Sequence, residues 1–430
     1  MGSMPRILSH IYREAVADVE PASLLPPHFG AVHAHCQGRT PLLLAVGKAA
    51  LPMARGLVNL VAEVVYGSAV YTPSATAPAP TGCVVLEVGH PLPTPGSVTA
   101  ARHARRVLAQ TPDDTPVLIA LSGGASAAWC DPVDGLSLPD LVATQQLLAR
   151  RGADITQINT VRRHLSQIQG GRLALAARPR PVLCLALVDV VGGGPHDVGS
   201  GPAVGDPTSY RDAVETIETL DLGAEVPRPV ITHLHNGLRG AFEENPRPGD
   251  SRLDHVHWMA LATPALLRDR AARRAREHAL HVEAEATLVT GSIQALVEDL
   301  VGWAQRAPAN LLRVQAGEFT VELPTHPGHG GRARHLALAV AARLRHLERP
   351  WCMLAAGSDG VDGRGLVAGA VLDECTLRDV DDDAVAQALR DADSGPLLAS
   401  VGAEIVSGPT GTNLCDLMLL WVGEASRPCT

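Results

Sequence analysis

Pro116–Asp131, PVLIALSGGASAAWCD, is the stretch from which the fold of this chain can best be predicted. Its apolar run Val117–Leu121 predicts a buried strand, and Ser122-Gly123-Gly124-Ala125-Ser126 then turns the chain into a helix. Glycines after a strand let backbone N–H groups point at a common spot, and a helix that begins there adds partial positive charge. The loop therefore predicts a site for a phosphate or carboxylate group. The alternative is a tight turn that binds nothing.

Strands and helices alternate through the first half of the chain. Further apolar runs predict strands over Pro41–Val46, Val84–Val88 and Pro181–Leu187. Helices are predicted over 6–19, from Ser97 as N-cap through Leu108, over Pro139–Arg151 and over Ile155–Ile168. This alternation predicts a Rossmann-like α/β domain over residues 4–242, with a mostly parallel sheet and helices on both faces.

Polar or glycine-containing residues directly follow four of these strands. They are Gly47-Lys48, His90-Pro91, Ser122–Ser126 and Asp189–Gly194. The carboxyl ends of parallel strands lie along one edge of an open sheet, and ligands bind at that edge. We therefore expect these residues to form one binding edge.

A second, smaller α/β domain is predicted over residues 255–430, after the polar segment Glu243–Asp254, which predicts a surface connection or domain boundary. Its predicted strands are Val256–Ala262, His281–Ala284, Leu311–Ala316, Thr320–Leu323, Met353–Ala356 and Ile405–Ser407. Its predicted helices begin at Thr263-Pro264 and span Ser292–Gln305 and Ala333–Leu347. Glycine-containing polar loops occur again, at Gly328–Arg332, Gly357–Gly363 and Gly408–Asn413.

The composition restricts the class of partner. The chain has 430 residues, 46% of them hydrophobic and 3% aromatic, with a formal net charge of −9. It can bury a large core, and it lacks the basic and aromatic surface that nucleic-acid binding needs. The eight cysteines include no C-x-x-C pair, no apolar run reaches membrane-spanning length, and no signal peptide opens the chain. A cytoplasmic protein with reduced thiols is the expectation.

Lys48 is a candidate for holding a substrate carboxylate or the oxygens of a phosphoryl group. A solvated lysine at a helix start is the alternative, but cations are disfavoured there and arginine greatly outnumbers lysine in this chain. The turn does not fit a Walker A motif, because Leu42 and Ala49 stand where glycine and Ser/Thr are needed.

Arg332 lies in the glycine loop Gly328–Ala333 at a helix start, which predicts a guanidinium presented to phosphate or carboxylate. A surface arginine is the alternative. The loop fits G-x-G-x-x-A, but it follows prolines instead of a strand and has no acidic residue about 20 positions on, so it is a poor dinucleotide fingerprint.

Acidic residues provide candidate metal ligands. Asp189 follows a strand and precedes three glycines, which predicts a metal ligand or a base for a substrate hydroxyl, with a turn-forming aspartate as the alternative. Glu318, Asp359 and Asp362 lie in or beside glycine-flanked turns and could supply oxygen ligands to Mg²⁺ with nucleotide phosphates. The run Arg162-Arg163-His164 predicts a solvated basic helix face.

Taken together, these motifs resemble the class II glycerate 2-kinase family, whose C-terminal half is the MOFRL domain. The matching stretches, in family order, are AVGKAALPMA (45–54), GHPLP (89–93), LSGGASA (121–127), GADITQINTVRRHLSQIQGGRLA (152–174), VDVVGG (188–193), GSGP (199–202), GEFTV (317–321), GHGGR (328–332), SDGVDG (358–363), AGA (368–370) and GPTGTN (408–413). The resemblance therefore covers nearly the whole chain.

The resemblance implies phosphorylation of the 2-hydroxyl of D-glycerate, or of a related hydroxyacid, with ATP and Mg²⁺. It implies a site in the cleft between the two domains, with Lys48 and Arg332 as the main charged groups and Asp189 near the hydroxyl or metal. The residues expected to bind substrate or phosphate are Ser122, Gly123, Gly124, Ser126, Asn159, Arg162, Gly330, Gly331, Thr410 and Asn413. The expected metal ligands are Asp189, Glu318 and Asp359. The expected partners are a small hydroxyacid and a nucleotide, without nucleic acid or membrane, and homodimerisation is left open.

The chain departs from the family pattern mainly in its second half. Ala333, Arg334 and His335 stand where the family carries Asn and Glu. Gly291–Gln294 replaces Gly-Glu-Ala-Arg, Arg364–Val367 replaces Pro-Thr-Asp-Ala, and Val188 replaces a serine. These departures leave a non-catalytic family member that binds a small anion as an alternative. Hydroxypyruvate reductase is a weaker alternative, because the nicotinamide fingerprint is missing.

Overall fold

Residues 3–73, 78–363 and 365–424 are described by a computed structural model of the chain. Internal contacts divide the protein into two units. The first unit spans Leu24–Leu261, and the second unit combines the segment up to Ser23 with the segment from Ala262 onward. Arg364 and Cys429 lie outside the described residues.

Strands and helices alternate over most of the described chain. The strands are β1 (Leu42–Val46), β2 (Ala69–Thr72), β3 (Val84–Glu87), β4 (Val117–Leu121), β5 (Val182–Leu187), β6 (Val256–Ala262), β7 (His281–Ala284), β8 (Leu311–Gly317), β9 (Trp351–Gly357), β10 (Val367–Asp373), β11 (Glu404–Val406) and β12 (Asp416–Val422). The helices are α1 (Met4–Ala17), α2 (Pro21–Leu24), α3 (Phe29–Cys36), α4 (Ala50–Val61), α5 (Pro95–Gln110), α6 (Ala125–Ala128), α7 (Leu138–Arg150), α8 (Ile155–His164), α9 (Arg172–Ala177), α10 (Tyr210–Thr219), α11 (Arg228–Leu238), α12 (Pro264–Glu277), α13 (Ile293–Arg306), α14 (Arg332–Leu344), α15 (Asp382–Arg390) and α16 (Ser394–Ser400).

The first unit contains a six-stranded sheet in the order β3-β2-β1-β4-β5-β6, and the pairs from β3 through β5 are parallel. Every residue of β1, β4 and β5 is buried, because helices cover a parallel sheet on both faces. Leu44, Ile119 and Cys184 lie opposite one another in register and share one core with Trp129. The predicted Rossmann-like sheet is confirmed. Its strand order reverses between β1 and β4, and ligands bind at such a switch point.

The second unit contains a mixed six-stranded sheet in the order β11-β10-β9-β12-β8-β7. Only β7 and β8 pair in parallel among its described strands, and β12 runs antiparallel between β8 and β9. Asp416, the first residue of β12, therefore pairs with both Gly317 and Gly357, the last residues of β8 and β9. Because a strand starts where its two neighbours end, the residues of all three meet at one edge.

The units differ from the predicted domains 4–242 and 255–430 at two places. Helix α1 packs on α12 and β9 of the second unit, where Asp18 accepts hydrogen bonds from Arg273 and Arg274. Strand β6 extends the first sheet, and the N–H of Val182 donates to the carbonyl of His255 just before it. Neither placement follows from local sequence, since each depends on contacts between segments far apart in the chain.

The segment Glu243–Asp254, predicted as a surface connection, is tied to the first unit. Asn245 is buried, and its Nδ2 donates to Asp206 Oδ2 at 2.8 Å. Glu244 Oε1 accepts from the N–H of Tyr210 at 3.1 Å. These bonds fix the path that carries the chain into β6.

Three local predictions differ from the structure. Thr94 caps α5, and Ser97 is the third helical residue of the capping box, because the helix begins at Pro95. Helix α8 ends at His164, four residues before the predicted end. Residues 320–323 form no strand and make only one bridge, between Thr320 and Ser292. The sequence prediction also missed β2, β10 and β12.

Within the part of the chain that the structure describes, no helix is both long enough and apolar enough to span a membrane. No two of the seven cysteines in the same part of the chain form a disulfide. Burial raises the pKa of Cys130 to about 12 and that of Cys83 to about 11, so both thiols stay protonated near neutral pH.

The buried hydroxyl of Tyr12 ties α1 to the second sheet, since it donates to the carbonyl of Gly357 at 2.7 Å. We expect Tyr12→Phe to lower the free energy of unfolding by about 1 kcal/mol, because a buried hydrogen bond is lost. The matched control is Tyr66→Phe, since Tyr66 is 98% exposed. Urea unfolding measures both changes. Equal unfolding midpoints for the two variants would contradict this role for Tyr12.

Candidate functional site

The turn after β1 and the loop after β4 hold one another at the switch point of the first sheet. The N–H of Lys48 donates to the carbonyl of Gly123 at 2.8 Å. Gly47 has φ +111°, and a Cβ there would lie 2.5 Å from the carbonyl oxygen of Ser122, so only glycine fits. Lys48 itself is exposed. The structure thus brings Lys48 and the glycine loop together at the predicted edge.

His90 joins this group. A Cβ built on Gly124, which has φ +84°, would lie 2.8 Å from His90 Cδ2 and 3.6 Å from Lys48 Cγ. The absence of a side chain at Gly124 therefore leaves room for both residues. The sequence placed His90 at this edge but gave it no role.

The side chain of Ser122 has a structural role in the loop that is predicted to bind an anion. It is fully buried, and its Oγ donates to the carbonyl of Val46 at 3.1 Å. The same Oγ accepts from the N–H of Ala49 at 3.0 Å. With these bonds made inside the protein, the hydroxyl shapes the turn that carries Lys48.

A chain of polar side chains runs from Ser126 to Arg162. The hydroxyls of Ser126 and Ser200 share a hydrogen bond of 2.7 Å, and Ser200 Oγ donates to Asn159 Oδ1 at 3.0 Å. Arg162 Nη1 donates to the same Asn159 oxygen at 2.7 Å. Three of the predicted ligands, Ser126, Asn159 and Arg162, are therefore brought together. Ser200 also belongs to this group, although the motif GSGP (199–202) did not identify it as a candidate site residue.

The backbone of Ser200 is strained. Its φ is +60°, in the left-handed region that non-glycine residues seldom adopt, and Gly199 and Gly201 on either side have φ of +60° and +63°. Strain of this kind concentrates at functional sites, where the surroundings fix an unfavourable conformation. Here it places the hydroxyl between Ser126 and Asn159.

Arg162 is a cation without a carboxylate partner among the described residues. Its Nε is buried and makes no hydrogen bond. Burial, with a smaller effect of the neighbouring charge of Arg163, lowers the pKa of Arg162 to about 10. Buried charges are normally paired, so this guanidinium is suited to an anion supplied from outside the protein.

The interpretation of 162–164 as a solvated basic face is wrong. Arg163 and His164 are both fully buried. Arg163 Nε lies 2.9 Å from Asp206 Oδ1, and its Nη1 lies 3.5 Å from Asp197 Oδ1. Arg163, Asp197 and Asp206 therefore form a buried ion-pair network next to Arg162 in the sequence.

Asp189 is half-buried and lies just past the end of β5. Strand β5 pairs in parallel with β4, so Asp189 lies at the same edge of the sheet as the loop Ser122–Ser126. This is the edge at which the sequence predicted it.

In the second unit, Arg332 at the start of α14 is paired with two carboxylates. Its Nε lies 2.6 Å from Asp416 Oδ2, and its Nη1 donates to Glu318 Oε1. Burial lowers the pKa of Arg332, but the charges of Asp416 and Glu318 outweigh it and raise that pKa above its usual value. Arg332 therefore stays charged.

Asp416 is a candidate that the sequence analysis missed. It is 3% exposed, and Oδ2 makes no hydrogen bond of good geometry despite its closeness to Arg332. Burial raises the pKa of Asp416 to about 7, helped by the charges of Asp362 and Glu318 and opposed by Arg332. A lone aspartate before an unpredicted strand gives no local signal.

Asp362 caps α14 and is not available as a metal ligand. Its Oδ1 and Oδ2 each accept at 2.9 Å, from the N–H groups of Ala333 and Arg334. A Cβ on Gly331 would lie 2.2 Å from Asp362 Cγ, which explains the glycine there. Arg334 Nη1 donates to Glu404 Oε1 at 2.8 Å, so this departure from the family pattern closes a buried ion-pair network.

The loops 358–363 and 408–413 pack together. Thr410 Oγ1 donates to the carbonyl of Ser358 at 2.5 Å, and the N–H of Thr410 donates to the carbonyl of Asp359 at 3.1 Å. A Cβ on Gly330 would lie 2.8 Å from Ser394 Oγ. Thr410 therefore stabilises the loops that carry Asp359 and Asn413, and glycine at 330 lets its own loop pack against Ser394.

Each unit has a feature that is typical of α/β enzymes acting on small anions: a glycine loop after a parallel strand in the first unit, and an arginine at a helix start in the second. The chain matches a domain of unknown function, DUF4147, over residues 7–235 and the MOFRL family over residues 311–416. The chain belongs to the class II glycerate 2-kinase family, in which these two domains are combined.

Known proteins support this assignment. Glycerate 2-kinase of Pyrococcus horikoshii is 32% identical over 386 residues, covering 88% of this chain and 86% of that protein. The crystal structure of glycerate kinase from Thermotoga maritima superposes with a TM-score of 0.83 at 27% identity, covering 98% of this chain and 99% of that one. A putative hydroxypyruvate reductase of Agrobacterium vitis is 30% identical over 433 residues, covering 98% of this chain and 95% of that protein.

The raised pKa of Asp416 predicts a pH dependence of stability. Between about pH 4 and 7 the folded chain keeps a proton on Asp416 that the unfolded chain releases, so this group's contribution to stability falls as pH rises. Asp416→Asn removes this fall. The difference in urea midpoint, variant minus parent, should therefore increase as the pH is raised from 4.5 to 7.5. A difference in midpoint that does not vary with pH would refute the assignment.

Proposed function

We propose that this chain is an ATP-dependent kinase that transfers the γ-phosphoryl group of ATP to the 2-hydroxyl of D-glycerate, giving ADP and 2-phosphoglycerate. Membership of the class II glycerate 2-kinase family supports the reaction class. The relatives named glycerate 2-kinase and glycerate kinase match nearly the whole chain, which supports the acceptor.

The single observation that carries the proposal is the unpaired guanidinium of Arg162, held by Asn159 and Ser200. A carboxylate or phosphate oxygen bound there would receive charge-assisted hydrogen bonds and replace the missing counter-ion. Ser126 and the backbone of Gly123-Gly124 lie on the same loop and add donors for an anion. D-Glycerate carries a carboxylate next to its 2-hydroxyl and fits this chemistry.

Lys48 and Arg332 are proposed to neutralise the carboxylate and the transferring phosphoryl group. Phosphoryl transfer depends mainly on positioning and charge stabilisation, so two cations account for most of what the protein must supply. Asp189 is proposed to orient the 2-hydroxyl and accept its proton as the oxygen–phosphorus bond forms and the bond to ADP breaks.

The residues fit Mg²⁺, which prefers oxygen ligands. Glu318 and the buried Asp416 offer carboxylate oxygens beside Arg332, and Asp416 Oδ2 lacks a hydrogen bond of good geometry. Glu318 and Asp416 would hold the ion, with Asp359 and Asp189 as further proposed ligands. When bound, Mg²⁺ would offset negative charge on the phosphates.

One departure from the family pattern, at Arg334, has a structural role that gives no support to a non-catalytic protein. Arg334 replaces a residue of the usual pattern, yet it pairs with Asp362 and Glu404 inside the second unit. Arginine at 334 therefore changes the ion pairs that hold the start of α14, while Arg332 keeps its own partners Glu318 and Asp416.

Hydroxypyruvate reduction is a second candidate, favoured only by the name of the Agrobacterium vitis relative. The glycines of the loop Gly328–Arg332 pack closely against Asp393, Ser394 and Asp362, which explains them without a dinucleotide. Hydroxypyruvate-dependent loss of NADH or NADPH absorbance would support this candidate, and its absence together with ADP release would reject it.

Removal of the proposed charges should slow the reaction. We expect Lys48→Ala and Arg332→Ala each to lower kcat/KM for D-glycerate by about tenfold to a thousandfold, because each removes a cation that stabilises the transition state. Arg162→Gln should mainly raise KM. A coupled assay of ADP release measures all three.

The control is Arg343→Ala, which removes an exposed arginine paired with Glu298 and should leave the rate unchanged. Unfolding midpoints would confirm that each variant is folded. Full activity of folded Lys48→Ala would defeat its proposed role. No ADP release by the parent chain with any of a panel of hydroxyacids would defeat the kinase proposal.

Lys48 can be labelled selectively, because it is the single lysine of the chain. An amine-directed reagent should modify Lys48 and abolish ADP release, and ATP or D-glycerate should slow both effects. Peptide mass spectrometry separates Lys48 from the terminal amine. Modification of Lys48 that leaves the activity intact would contradict the proposal.

A further inference from the structure

A second cluster of side chains contains none of the residues proposed to bind substrate, phosphate or Mg²⁺. His10 and Glu14 are one helical turn apart on α1, and His278 is the C-cap of α12. We propose that His10, Glu14 and His278 bind a divalent transition-metal ion, best matched by Zn²⁺, which cross-links α1 to α12.

The geometry of the cluster is close to that of a metal site. His10 Nε2 lies 3.6 Å from Glu14 Oε1, and His278 Nε2 lies 3.4 Å from Glu14 Oε2. Tetrahedral zinc with ligands at about 2.0–2.1 Å holds them about 3.4 Å apart. The ligand atoms of all three residues lie within 4.8 Å of one another, so only a small movement of the exposed His10 is needed.

The ligand chemistry selects the ion. Two imidazoles and one carboxylate suit Zn²⁺, Ni²⁺ or Cu²⁺, whereas Mg²⁺ prefers carboxylate, carbonyl and water oxygens. No other group of three such ligands occurs within residues 3–73, 78–363 and 365–424. The site is thus chemically distinct from the carboxylates proposed for Mg²⁺.

The surrounding charges permit a cation. Arg274 Nη1 lies 3.7 Å from Glu14 Oε1, but its guanidinium is mainly bonded to Asp18 at 2.6 and 2.8 Å and to Glu277 at 3.0 Å. Arg273 also donates to Asp18. Glu14 therefore remains available, and the acids Asp18 and Glu277 offset the two arginines.

A metal ion at this cluster would strengthen the attachment of α1 to α12. Helix α1 precedes the first unit in the chain, yet it packs on the second unit. Its hold there depends on Tyr12, on the Asp18 ion pairs and on packing. A metal ion bound by the folded chain would stabilise this attachment in proportion to the logarithm of its concentration.

The test uses the full chain, stripped with a chelator and exchanged into buffer without metal. Calorimetric titration with ZnCl₂ should show a site that His10→Ala and His278→Ala each weaken at least tenfold, since each removes a ligand. Zn²⁺ should raise the melting temperature of the parent by several degrees and that of either variant by much less. MgCl₂ should show no binding that His10→Ala or His278→Ala weakens, and its effect on the melting temperature should be the same for the parent and both variants.

The matched control is His346→Ala, which removes an exposed histidine outside the cluster and should bind Zn²⁺ as the parent does. Lowering the pH from 7.5 to 5.5 should weaken binding, because imidazole binds metal only in its neutral form. Co²⁺ should give an absorption band typical of tetrahedral coordination in the parent and in His346→Ala, but not in His10→Ala or His278→Ala. Equal Zn²⁺ binding by the parent and by both ligand variants would overturn the proposal, whatever the kinase assay shows.

Discussion

The interlock between the turn after β1 and the loop after β4 is the constraint on which the first unit's site depends. Ser122 bonds to both sides of the turn, and the Lys48 N–H bonds to Gly123. Because glycine at 47 allows the two segments to touch, the lysine is fixed at the point where the strand order reverses. The loop proposed to supply backbone donors for an anion is therefore the same one that positions Lys48.

The second unit reaches a similar result through an antiparallel strand. Asp416 starts β12 between the ends of β8 and β9, and it holds Arg332 together with Glu318. Burial of the carboxylate there has a free-energy cost that the arginine offsets only in part, so the pKa of Asp416 remains raised. The result is a pH-sensitive ion pair at the strand ends, in which Arg332 stays charged and Asp416 gains or loses its proton.

The sequence predicted what local patterns control. Apolar runs located β1, β4 and β5, and the rule for parallel strands placed Lys48, Ser126 and Asp189 at one edge. The sequence analysis failed where contacts between distant segments determine the position or burial of a residue. Asp416 lacked a signal because β12 was not predicted, and Arg163 and His164 are buried by the partners Asp206 and Glu244, which are distant in sequence. His10 and His278 are also far apart in the chain, so no local spacing could reveal their cluster.

In the proposed reaction, the γ-phosphoryl group of ATP goes to the hydroxyl oxygen on the carbon next to the carboxylate. The most direct measurement is the position of the phosphate in the product formed from ATP and D-glycerate, determined by phosphorus–proton correlation NMR. The account predicts phosphate on the oxygen at C2. Phosphate at C3, or no phosphorylated product while ATP and D-glycerate are both bound, would contradict it.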